Sequence, residues 1–127
     1  MERYIGTKVI HAEPATSPSG EGYNVTYADG YKSWSPKAAF EDAYRPCSAM
    51  TFGLAIEAMK RGAKVARAGW NGKGMWLELQ RPDEHSKMTL PYVFLNYPKD
   101  AQNTPGARVP WLASQTDMLA EDWSIQS

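Results

Sequence analysis

Apolar residues along this chain recur at every second position in several short runs and at helical spacing in one. Tyr4 to His11 alternates and is β-branched enough to predict a strand. Ala15 to Gly22 is rich in Pro, Ser and Gly and predicts a loop or hairpin tip. Alternation resumes from Tyr23 to Tyr27, and Asp29-Gly30 predicts a two-residue turn before a strand from Tyr31 to Trp34. Ser35 as N-cap and Pro36 at the first helical position then start a helix to Tyr44, which ends before Pro46.

The clearest helical stripe follows: Phe52, Ala55, Ile56 and Met59 share one face, Thr51 can cap the start, and Gly62 is placed to stop the helix. Lys64 to Ala68 and Gly74 to Gln80 read as strands joined by a tight turn at Asn71-Gly72. A further strand, or a pair, is predicted within Met88 to Tyr97, and Lys99 to Arg108 reads as loop. Ser114 with Asp117 three residues on approximates a capping box for a short helix, Gln115 to Ala120, before a last strand from Asp122 to Gln126. The predicted class is α+β: a small antiparallel sheet packed by a helix over residues 50–127, preceded by a small β-hairpin and helix module over residues 1–46.

A length of 127 residues allows one domain, or one with a small added module. The core is correspondingly small, and self-association is a common way to enlarge it. Fourteen basic residues balance fourteen acidic ones, which argues against a binder of nucleic-acid polymers. A single cysteine, Cys47, excludes a disulfide framework, and the two histidines, His11 and His85, lack partners at metal-ligand spacing. Neither a signal peptide nor a membrane span is read from the pattern, so a soluble cytoplasmic protein is expected.

Catalysis finds little support. Ser114 has no partner histidine, and Cys47 has no neighbouring base. Asp117 and Glu121 stand one helical turn apart, a spacing that suits either a cation or plain helix capping. Binding finds more. Trp70 lies between Gly69 and Gly72, where another molecule can approach the backbone, and an indole face there suits a stacked base. Arg67 and Lys73 flank it and can pair with phosphate. Trp111 precedes a helix start formed by Ser114, Gln115 and Thr116, whose backbone donors suit an anionic or hydroxyl-rich ligand. Trp76 and Trp123 are expected to fill the core.

The segments carrying these features, Phe52-Gly53, Val65-Ala66-Arg67, Gly69-Trp70-Asn71-Gly72 and the run Pro110 to Trp123, together resemble the phage family called Thoeris anti-defense 2-like. The first 46 residues look like a small module also seen in phage proteins. The resemblance implies a non-enzymatic sponge that holds a cyclic ADP-ribose isomer made by bacterial TIR-domain defence proteins, with cyclic di- or trinucleotides held by some members. It further implies a homo-oligomer, a tetramer built from dimers, acting in the cytoplasm of the infected host, with no cofactor. Carried onto this sequence, the expected ligand-binding residues are Trp70, Asn71, Arg67, Trp111, Ser114, Gln115 and Asp117. Trp70→Ala is then expected to weaken binding with little loss of fold. Two alternatives stay open: a phage structural or interaction module, and a metal-dependent nucleotide hydrolase using Asp117 and Glu121.

Overall fold

A computed structural model describes residues 1–126. The chain divides into two compact units, Met1–Arg45 and Pro46 onward.

In the first unit, strands β1 (His11–Ser17), β2 (Gly20–Thr26) and β3 (Lys32–Pro36) form an antiparallel sheet in that order, followed by helix α1 (Lys37–Ala43). Tyr23 from β2 stacks on Phe40 of α1 at 4.1 Å between ring centroids, and Phe40 stacks on Tyr44. The first strand lies downstream of the expected Tyr4–His11. The ladder runs from His11 opposite Thr26 to Ser17 opposite Gly20. Residues upstream of His11 therefore lie beyond the end of β2 and outside the strand ladder. The expected loop 15–22 shrinks to Pro18-Ser19 at the hairpin tip. Pro14 is accommodated because β1 is an edge strand, where a missing donor costs no ladder bond.

The second turn also differs. Tyr27 donates to the Tyr31 carbonyl and encloses three residues, Ala28, Asp29 and Gly30, rather than two. Gly30, at φ +89°, supplies the left-handed residue of this longer loop. Ser35 does not cap α1, because it pairs with Tyr23 inside β3; Pro36 is the cap position and makes no side-chain cap bond.

Gly22 is buried under the indole of Trp34, whose Nε1 donates to the Ala15 carbonyl at 3.0 Å. A Cβ there would lie 2.5 Å from the Trp34 ring and would also strike the Ser35 carbonyl. Gly22→Ala is therefore expected to destabilise this unit by about 1–3 kcal/mol, the usual cost of overpacking. Urea titration followed through Trp34 emission, with the other four tryptophans changed to phenylalanine, checks it against the parent.

In the second unit, helix α2 (Phe52–Lys60) starts where Thr51 Oγ1 accepts from the Leu54 amide at 3.3 Å. Gly62, at φ +91°, reverses the chain after its last turn. Five short strands follow: β4 (Lys64–Arg67), β5 (Trp76–Gln80), β6 (Tyr92–Asn96), β7 (Arg108–Pro110) and, after helix α3 (Gln115–Leu119), β8 (Trp123–Gln126). Their order is β7-β6-β5-β4-β8, antiparallel throughout. The α+β expectation is borne out.

Ala55 and Met59 of α2 join Met50, Val65, Leu77 and Trp123 in the buried core. Because strand side chains alternate, placing Val65 and Leu77 on the helix side turns Lys64, Ala66, Trp76 and Glu78 to the opposite face. Asn71-Gly72 does not form the expected two-residue turn. Such a turn needs positive φ at both central residues, and neither has it. Residues 68–75 instead form an irregular loop that leaves β4 and β5 in register at Val65 and Leu77. β7 lies at the edge of a segment read largely as loop. It is short, and Pro110 is tolerated there because it is an edge strand.

Candidate functional site

Arg67, at the end of β4, points into a knot of hydrogen bonds tied by α3 and the start of β8. Its Nη1 donates to Asp117 Oδ1 and its Nε to Asp122 Oδ1, each at 2.9 Å. Asp117 Oδ1 also accepts from Trp70 Nε1 at 3.2 Å, and its Oδ2 from the Ser114 amide at 3.1 Å. Ser114 Oγ returns a bond from the Asp117 amide, completing the capping box. Asp122 Oδ2 accepts from the Gly69 amide at 2.7 Å. The two carboxylates thus fix Arg67, the Gly69 backbone and the Trp70 indole together.

Burial pushes the Asp117 carboxyl upward, but the bonds from Arg67, Ser114 and Trp70 outweigh it and bring it down to about 2. Asp122 is lowered chiefly by its bond from Arg67, and Arg67 is raised by Asp122 and then Asp117. A depressed carboxylate stabilises the fold fully above its ordinary value of 3.8, and that stability is lost as pH falls toward the folded value. Asp117 should therefore contribute about 2 kcal/mol at neutral pH that disappears between about pH 5 and pH 2. Urea midpoints measured across that range check it, and Asp117→Asn should flatten this part of the profile.

Beside the knot stands an aromatic cluster. Trp70 lies edge-on to Trp123 at 5.5 Å and tilted to Trp111 at 6.4 Å; Trp111 in turn meets Phe52 and Trp123. Trp123 is fully buried, as expected, with Nε1 donating to the Asp117 carbonyl. Trp76 departs from the core-filling expectation. It is half-buried on the face away from α2, where its Nε1 donates to Glu78 and Lys64 Nζ lies 5.1 Å from its ring.

The outer face of the sheet and the loop 68–75 enclose an open cleft of about 340 Å³, within the range of small-ligand pockets. Its walls include Trp70, Trp76, Lys64, Lys73 and Met75, and among the described residues no carboxylate lines it. A wider depression of about 620 Å³ lies on the first unit's sheet, with His11, Glu13 and Lys32 among its walls. That surface mixes both charges and lacks an aromatic wall, so the smaller cleft is the better candidate.

Of the expected site residues, Arg67, Trp70, Trp111, Ser114 and Asp117 converge on the knot and the aromatic cluster, but only Arg67 and Trp70 reach the cleft. Asn71 and Gln115 are exposed. Ser114 and Asp117 satisfy each other, so the Asp117 amide is not a ligand donor. Arg67 is already bound by two carboxylates. Trp70 is held in the cluster, so its removal must cost fold stability as well as any binding, contrary to the expectation of little loss. Lys64, Trp76 and Met75 are cleft residues outside the expected set. Their signal was position: Lys64 and Trp76 each precede a core residue on adjoining strands. For the hydrolase alternative, no cluster of three or more His, Cys, Asp or Glu is placed to hold a metal ion among the described residues.

Fold and cleft together define the second unit as a small α+β domain with an aromatic, lysine-bearing recess on the open face of its sheet. The chain belongs to the Thoeris anti-defense 2-like family, whose domain model matches residues 50–126. A relative from Bacillus phage SP01, named Thoeris anti-defense 2, is 42% identical over 88 residues, which cover 61% of this chain and 96% of that protein.

Proposed function

We propose that this chain is a phage immune-evasion protein that captures a cyclic nucleotide signal of bacterial defence and holds it unchanged in the infected cell's cytoplasm. Glyco-cyclic ADP-ribose is the leading candidate, with cyclic di- or trinucleotides as further cargo. The observation that carries the reading is the cleft: an indole wall at Trp70 and two lysines, with no lining carboxylate among the described residues, inside the residues that match the family. Such a recess suits a planar base joined to phosphates. Trp70 stacks on the base and Asn71, exposed beside it, meets ribose hydroxyls. Trp111, Ser114 and Asp117 act from behind as the support of that wall.

Self-association fits the same reading. Leu112, three residues before α3, and Leu119, its last residue, are exposed at 91% and 77%, exposed leucine that a second copy would cover. Sedimentation of the protein tests this; a monomer at all concentrations contradicts it.

To compete with a signalling effector, capture needs nanomolar affinity, about −12 kcal/mol, which demands a preformed cleft. Calorimetric titration with glyco-cyclic ADP-ribose and a cyclic dinucleotide panel tests the proposal. Nanomolar binding of one of them is expected, and absence of binding to all of them would sink it.

A further inference from the structure

We infer that Lys73, with Lys64 as its second point, selects the charge of the ligand in the cleft, and that Lys73 does so as a preorganised clip of the loop that carries Trp70. The inference rests on the binding reading above and names the residues that would enforce it. Lys73 Nζ lies 3.3 Å from the Ala68 carbonyl and 3.1 Å from the Trp70 carbonyl. An ammonium has three donors. Two are turned to backbone carbonyls, which hold the group in place without neutralising it, and the third remains for a ligand.

Lys73 and Arg67 differ in their charged neighbours. Arg67 faces two carboxylates, so that triad carries a net negative charge and its guanidinium attracts no anion. Lys73 and Lys64 line the same cleft, and among the described residues no carboxylate shares that lining; Glu78, on the same sheet face, is engaged by Trp76 Nε1 and Asn96 Nδ2. Lys64 approaches from the sheet, over the Trp76 ring, while Lys73 approaches from the loop. Two lysines lining one recess from different walls suit a ligand with two negative charges, such as a pyrophosphate bridge, better than a neutral or singly charged one. By bonding to the Trp70 carbonyl, Lys73 also fixes the indole wall against which the attached base would stack. Anion and base are therefore read by one tethered loop.

The test is calorimetric titration of wild type, Lys73→Gln and Lys73→Arg with glyco-cyclic ADP-ribose at several salt concentrations, alongside thermal midpoints. Lys73→Gln should bind about 10- to 100-fold more weakly, the loss of one charge-assisted bond. Its affinity should also depend less on salt. Lys73→Arg should recover most of the affinity and the salt dependence. If wild type binds and Lys73→Gln matches it in affinity and salt response, the inference is overturned while the binding reading stands. Equal weakening in both variants with unchanged salt dependence also overturns it, because Lys73 would then act on loop shape alone. Failure of wild type to bind removes the binding reading itself, and the inference with it.

Discussion

Asp117→Ala is expected to lower the stability of the second unit by about 3–5 kcal/mol, from one largely buried charge-assisted bond lost and two hydrogen-bond donors left without their acceptor. Both side chains of the Arg67–Asp117 pair are only 13% exposed. Removing the carboxylate leaves the Trp70 indole N–H and the Ser114 amide without their acceptor, dissolves the capping box, and leaves Arg67 with Asp122 alone. A natural domain of this size has about 5–15 kcal/mol in total, and each lost kcal/mol lowers the melting midpoint by about 4–8 °C. The variant should therefore melt far below wild type or fail to fold at growth temperature. Asp122→Ala makes the comparison informative. Asp122 is more exposed, at 33%, and supports one backbone amide and one guanidinium nitrogen, so its loss should cost less. Chemical denaturation of both variants checks the ordering; equal losses would mean that Asp117 is not the hub.

If the proposed capture of a cyclic nucleotide holds, Trp70→Ala is expected to weaken it by about 10- to 100-fold, the worth of one stacked base. The same change removes an edge contact to Trp123 and the bond to Asp117, so the melting midpoint should fall as well. Trp70→Phe separates the two contributions. It keeps a π face and much of the packing but removes the N–H, so it should hold ligand within several-fold of wild type. Calorimetry on both variants, run below their melting midpoints, measures this. Wild-type affinity in Trp70→Ala would remove Trp70 from the site.

Much of the second unit was legible because its signals are local. The Phe52–Met59 stripe, the Thr51 cap, the Gly62 stop and the Ser114–Asp117 box each fall within one or two turns of chain, and each stands in the structure. The failures come from partners far away in sequence. Tyr4 to His11 alternates well, but β2 ends too soon to pair with it. Ser35 is a good cap in isolation, yet β3 pairing claims it. Asn71-Gly72 carries a turn signature that the eight-residue loop does not use.

The candidate site divides in the same way. Trp70 and Arg67 stood out because a ring and a cation sit near glycines. Their partners, 47 and 50 residues along in Asp117, could not be read from spacing, and these partners decide that Arg67 is engaged while Trp70 is a fixed wall. Lys64 and Trp76 looked like ordinary strand residues. Only the register of Val65 opposite Leu77 shows that they share an uncovered face.

Sequestration without chemistry is the central claim, and a capture-and-release assay tests it most directly. Purified protein is incubated with glyco-cyclic ADP-ribose and filtered, and the retained protein is heat-denatured before chromatography of both fractions. The account predicts that ligand disappears from the filtrate and returns intact after heating. Ligand converted to a product, or left free in the filtrate throughout, would contradict it.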